Sequence, residues 1–276
     1  MTLSERNTFF KIGMVFCAII VLLITAVSIF SIPVYSAMEE NPRRPAYVFQ
    51  LIAGWFLKTD YLAVHTSIVL AVLFSLVSMI FIHSFFERTS APEILYISFF
   101  AFSLSFEVIR LIVPLHIKYI FPLFYLVTAA RALLFARYFS IFSLFAASVC
   151  ASGLEIQRTR NVVLFLLVPS LVISLGVPID AQTWDTCFTF ASGNTSMFLM
   201  IGVIVLFGIV ISFFVAANKR RSKEYYYVGI GAAIALAGRN ILLGVDNWAG
   251  PVLGILLLVF GIRLMCSKLH KIHLWL

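Results

Sequence analysis

The stretch "FSLSFEVIRLIVP", residues 102–114, sets a carboxylate, Glu107, and a guanidinium, Arg110, three positions apart in an otherwise apolar run. What the two charges do depends on the solvent around them. Working outward, the run extends over 94–115 and is one of about eight of its kind. The 276-residue chain is 62% hydrophobic and 12% charged, where a soluble domain is about a quarter charged. Its mean hydropathy is +1.05. A water-soluble protein of this size has too little interior to hide that much apolar surface, so the solvent is lipid. A bilayer core of roughly 30 Å takes about 20 apolar residues per helix. The expected fold is all-α: a polytopic transmembrane helix bundle of about eight spans, forming a single integral membrane domain over 1–276.

The expected spans are 12–36, 61–86, 94–115, 123–151, 162–177, 196–217, 226–244 and 251–266. The first apolar run is longer than a signal-peptide core of about 7–15 residues and is read as a retained helix. With the N-terminus in the cytoplasm, inner loops and tails hold Arg6, Lys11, Arg88, Arg158, Arg160, Lys219, Arg220, Arg221, Lys223, Lys268 and Lys271. Outer loops hold Arg43, Arg44, Lys58 and Lys118. The positive-inside rule therefore puts both termini in the cytoplasm of a cell-membrane protein. The net charge of +8 follows from this clustering at span ends, so nucleic acid is not an expected partner. Trp55, Trp184 and Trp248 all fall at the outer boundary, where indoles are enriched.

Two segments resist simple reading. Residues 119–153 are long for one span, but splitting them would put the basic "NKRRSK" loop outside. One long or tilted helix starting near Pro122 is expected. The outer segment 47–57 is apolar but too short to cross, and is expected as an interfacial helix or a re-entrant lid. Among Cys17, Cys150, Cys187 and Cys266 no pair has CxxC spacing, and only Cys187 falls in an outer loop, so no intramolecular disulfide is expected. "NTS" at 194–196 matches a glycosylation acceptor but abuts a span.

A charge at membrane depth costs about 2.5–3.5 kcal/mol on insertion scales, so Glu107 needs compensation. Glu107 and Arg110 share a helix face. Helix four brings Arg131 to the outer half and Arg137 near mid-depth. Helix seven brings Arg239 and Asn240, and helix two brings His65 near its outer end. Glu107 is read as the only acid buried in a span, so arginines outnumber carboxylates in this layer. A surplus guanidinium calls for an anion or water, and its fork suits carboxylate or phosphate. The candidate ligand-binding residues are Glu107, Arg110, Arg131, Arg239, Asn240 and His65. The plainer reading has these arginines bracing the bundle through carbonyls or snorkelling to headgroups, Arg110 first because it lies near a helix end.

Other chemistries lack their residues. No lysine lies inside a span to form a Schiff base. Haem of the cytochrome b type needs histidines on facing helices, and His65 and His83 share one. No HExxH, paired-aspartate or GxSxG motif is present, so metalloprotease, prenyl-transfer and hydrolase readings lack their nucleophile or metal ligands, and no cofactor is expected. The glycines of "VGIGAAIALAG", residues 228–238, are spaced for close helix packing.

The whole-chain architecture, with charged outer-half residues such as those of "SFEVIRL", resembles the multi-helix membrane sensor regions that precede bacterial histidine kinases and cyclases. The chain departs from them after Cys266, where only "SKLHKIHLWL" follows. The resemblance implies a sensor or receptor-like module that binds an anionic small molecule or membrane lipid. It would signal through a separate partner at the cytoplasmic face, docked on the basic loop 219–223. A small-solute transporter is the rival expectation, a membrane enzyme acting on lipid with Glu107 and His65 as its one acid–base pair is third, and a structural membrane subunit is the fourth.

Overall fold

Helix after helix in this chain is apolar on every side, so each must be covered by neighbours or by lipid. The computed structural model describes residues 3–39, 58–87, 91–153, 159–193 and 195–274. The segment 47–57, expected as an interfacial helix or lid, and Asn194 lie outside these residues. The elements are α1 (Leu3–Glu39), α2 (Tyr61–Phe86), α3 (Pro92–Ser103), a 3₁₀ segment (Leu104–Leu111), α4 (Ile112–Tyr119), α5 (Leu123–Ala151), α6 (Thr159–Gly176), β1 (Ile179–Trp184), β2 (Phe190–Ser192), α7 (Thr195–Lys219), α8 (Glu224–Gly244) and α9 (Ala249–Leu274).

Among the described residues, seven helical segments are long and apolar enough to cross a membrane. One of them is the continuous column Pro92–Tyr119, built from α3, the 3₁₀ segment and α4. The eighth expected span is the short one, with its apolar part covering Val162–Gly176. Large apolar side chains such as Leu22, Phe165, Phe207 and Leu256 stand exposed on the bundle surface, as lipid-facing residues do. The fold is helical as expected, with one addition: the stretch between α6 and α7 pairs with itself as an antiparallel hairpin, Ile179 opposite Ser192 and Asp180 opposite Ala191.

Local chemistry sets the helix ends. Asp60 caps α2, its Oδ1 accepting the Leu62 N–H at 2.8 Å. Pro92 opens α3 at a first-turn position, where its missing N–H costs nothing. The long fourth span is one helix, as expected, entered through extended Pro122. Before it, Ile120 takes a left-handed φ of 48°, unfavourable for a β-branched residue. His116 compensates, its carbonyl accepting the Ile120 N–H at 2.8 Å and its Nδ1 the Phe121 N–H at 2.9 Å.

The bundle has two distinct ends. At the hairpin end, the Thr186 hydroxyl donates to Asp246 at 2.7 Å, the Asp60 N–H to the Asp246 carbonyl at 2.9 Å, and Trp248 Nε1 to Asp60 at 2.8 Å. These bonds tie the hairpin to α2 and to the α8–α9 turn. At the opposite end, Arg6 donates to the Phe86 carbonyl at 2.6 Å, and Lys268 and Lys271 flank Glu224 at 2.9 and 2.8 Å.

Between the two ends α8 and α9 pack backbone to backbone. A Cβ on Gly238 would lie 2.6 Å from Leu258 N, and one on Gly261 2.6 Å from Ala235 N. Only glycine permits that approach. Gly261→Val should therefore force the two helices apart and cost about 1–3 kcal/mol, the usual range for overpacking. Gly202→Ala, where a Cβ meets nothing within 4 Å, should be neutral or stabilising. Thermal unfolding in detergent compares the two, and an unchanged melting temperature for Gly261→Val would remove the packing argument.

Candidate functional site

The 3₁₀ segment carries the site's central charges. Ser103 and Ser105 precede and enter it, their hydroxyls donating to the carbonyls of Phe100 at 2.7 Å and Phe102 at 2.8 Å. Such bonds compete with the helical ladder. At three residues per turn, positions i and i+3 eclipse, so Glu107 and Arg110 stand on one edge. Both are buried, at 2% and 1% exposure. That overturns the expectation that Arg110 snorkels.

Glu107 is claimed by an arginine that the sequence reading left out of the candidate set. Arg137 of α5 grips it bidentately, Nε to Oε1 at 3.0 Å and Nη2 to Oε2 at 2.9 Å. Arg110 Nη1 lies further off, 3.7 Å from Oε2. Arg110 instead turns its Nε, at 2.8 Å, and its Nη2 to the carbonyl of Cys187 in the hairpin turn. The next residue, Phe188, has a left-handed φ of 56°. Its ring is fully buried and stacked between Tyr35 and Tyr61, each centroid 5.7 Å away. The hairpin is therefore pinned at its turn by a charge and a ring, and becomes a fixed wall.

Arg239 of α8 completes the cluster. It is 4% exposed, its Nη2 donates to the Arg137 carbonyl at 3.2 Å, and its Nε has no hydrogen-bond partner among the described residues. Arg137 and Arg239 both open onto a cavity of about 550 Å³. Asn240, Leu243 and Gly244 line it from α8. Thr183, Trp184, Asp185, Thr189, Phe190, Ala191 and Ser192 line it from the hairpin. The size falls within the usual range for small-molecule sites, about 300–1,000 Å³. On the hairpin, the Gln182 N–H and the Thr183 hydroxyl hold the Asp180 carboxyl below the usual carboxylate range. Asp185 faces the cavity, with Oδ1 accepting the Thr189 N–H at 2.8 Å.

Of the expected site residues, Glu107, Arg110 and Arg239 gather in one cluster, and Asn240 lines the cavity beside it. Arg131 does not join them: it is exposed on the surface of α5. His65 is buried elsewhere. Ser28 spends its hydroxyl hydrogen on the Ile24 carbonyl at 2.6 Å. The ring Nε2–H therefore donates to Ser28 at 2.9 Å, and Nδ1 accepts from the Tyr35 hydroxyl at 2.7 Å. His65 thereby joins α1 to α2. Glu107 is also not the only buried acid, since Glu93 in the first turn of α3 is 1% exposed at the opposite end, 3.8 Å from His273. All four cysteines are buried free thiols. Among the described residues, no group of three His, Cys, Asp or Glu side chains is placed to hold a metal ion.

Depth along the helix, though not facing, favours Arg137. At 1.5 Å per residue it stands about 21 Å above the Ala151 end of α5, and Arg239 about 22 Å above the Glu224 end of α8. The two are level, whereas Arg131 stands about 30 Å up. No protein-family model matches the chain, and no curated protein matches it significantly.

Removing one partner of a buried ion pair costs about 3–5 kcal/mol in soluble proteins, because the other charge is stranded. Glu107→Gln should therefore destabilise strongly. A double-mutant cycle between positions 107 and 137 should give a coupling energy above about 1 kcal/mol. The same cycle between 107 and 131 should give none. Equal coupling in both cycles would contradict the geometry.

Proposed function

We propose that the protein is a sensor- or receptor-like membrane module that binds a ligand bearing an acidic group, carboxylate or phosphate, in the cavity beside the hairpin. One observation carries this reading: Arg239 is buried at that cavity with its Nε unpartnered, and the nearest carboxylate, Glu107, is already held in two hydrogen bonds by Arg137. A buried guanidinium left with unfilled donors is costly, and an incoming acid would supply what they lack. Beneath the cluster the bundle is filled by an apolar core that includes Phe99, Phe100, Phe139 and Leu236. A site closed on one side suits binding and signalling better than passage.

A transport reading has one observation in its favour. The 3₁₀ break at residues 104–111 lies in the helical column that carries Glu107, and transporters place their sites at interrupted helices. Flux of the same solute into proteoliposomes separates the two readings, since a sensor binds without moving it.

We further propose eight passes with the hairpin end outside, both termini in the cytoplasm, and the cell membrane as the site of residence. Among the described residues, support comes from the basic residues of the opposite end, Arg6, Lys11, Lys219, Arg220, Arg221, Lys223, Lys268 and Lys271, against Lys58 and Lys118 at the hairpin end; Arg43 and Arg44 lie outside the described residues. A separate signalling partner would meet the loop at 219–223.

In a variant with its four cysteines replaced, a thiol reagent applied to intact cells should label Gln182→Cys. It should reach Arg221→Cys only after permeabilisation. The reverse pattern would invert the topology. For the binding reading, an acid-bearing ligand at a hundredfold excess over its dissociation constant stabilises the fold by about 2.7 kcal/mol. The melting temperature of the wild type should therefore rise with such ligands, and Arg239→Gln should abolish the rise. A rise that survives in Arg239→Gln would place binding elsewhere.

A further inference from the structure

We propose that the cavity recognises a bipolar small molecule, carrying an acid at one end and a cation a few bonds away, and not a simple anion; this rests on the acid-binding reading above. The walls of the cavity are charged with opposite sign. The α-helical side presents Arg137 and Arg239, and the hairpin side presents Asp185. The Asp185 carboxylate is exposed. Its Oδ1 takes the Thr189 N–H, and Oδ2 takes no hydrogen bond from any described residue. Beside it stands Trp184, an aromatic face of the kind that accepts cations.

Charge counting sharpens the point. Of the charges on the cavity walls, Arg137 is already paired with Glu107, which leaves Arg239 and Asp185 as one charge of each sign; Arg110 lies behind the lining, held by the Cys187 carbonyl. A plain anion attracted by Arg239 is repelled by Asp185. A molecule with both signs meets its complement on each wall. The Arg239 guanidinium takes the acid, Asp185 with Trp184 takes the cation, and Asn240 and Leu243 flank the body between them. Free α-amino acids have this chemistry, and so does the phosphoethanolamine headgroup of a lipid.

The full chain in a non-ionic maltoside detergent tests the inference by thermal shift. The probes are acetate, inorganic phosphate, ethylamine, a panel of free α-amino acids and O-phosphoethanolamine. At least one bipolar probe should stabilise at a concentration tenfold or more below that needed for acetate, phosphate or ethylamine. Asp185→Asn keeps an acceptor for the Thr189 N–H and should erase that advantage while leaving the response to acetate or phosphate. Asp180→Asn, on the same hairpin but outside the cavity lining, should leave the advantage intact. A response to amino acids alone identifies a soluble ligand. A response to O-phosphoethanolamine, together with a preference for nanodiscs of phosphatidylethanolamine over phosphatidylglycerol, identifies a lipid headgroup. If acetate or phosphate binds as well as every bipolar probe, or if Asp185→Asn keeps the preference, the bipolar inference falls and the acid-binding reading stands. If no acid-bearing probe stabilises the wild type, both fall.

Discussion

Glu107 is a lone acid among three guanidiniums in the interior of an apolar bundle, and it decides where four separate parts of the chain must meet. It draws Arg137 from α5 into a two-point grip. With Arg137 held, its backbone carbonyl is placed to receive Arg239 from α8. Arg110, one 3₁₀ turn along, is left to find an acceptor and finds the Cys187 carbonyl of the hairpin. Buried ion pairs contribute little net stability, because desolvation offsets attraction. Their effect here is positional: each unmet donor commits the next element.

The hairpin gains its rigidity from the same logic. A two-stranded ribbon is marginal by itself in water. This one is held at Cys187 by Arg110, at Phe188 by Tyr35 and Tyr61, and at Thr186 by Asp246. The residues that face the cavity from the hairpin, Thr183 to Asp185 and Thr189 to Ser192, are thus presented on a fixed surface. His65 enters this account indirectly, since it orients the Tyr35 ring that Phe188 packs against.

Much of the architecture was legible in the sequence because apolar length and proline position are local properties. The 29-residue α5, bounded by Pro122, is the clearest case. The site was only half legible. Glu107, Arg110, Arg239 and Asn240 stood out as polar groups at membrane depth, yet Arg131 was favoured over Arg137. The two lie six residues apart, which turns them about 120° from each other around the helix. Deciding which faces inward requires an apolar stripe, and α5 is apolar on all sides. The hairpin left even less trace: its strands are only six and three residues long, and their pairing depends on contacts made far away in the chain. Asp185, which gives the cavity its second sign, could not be assigned to it before that hairpin was seen.

The 3₁₀ segment has a further geometric consequence. Each of its eight residues turns the chain by about 120° where an α-helix turns it by about 100°, so over residues 104–111 the accumulated difference is about 160°. The segment works as a phase shifter, delivering α4 to the hairpin end nearly half a revolution away from where an unbroken helix would face it. It also lengthens the column by about 4 Å. Arg110 sits within the shifter and holds the hairpin carbonyl. The winding of this one segment and the seating of the cavity wall are therefore a single mechanical variable.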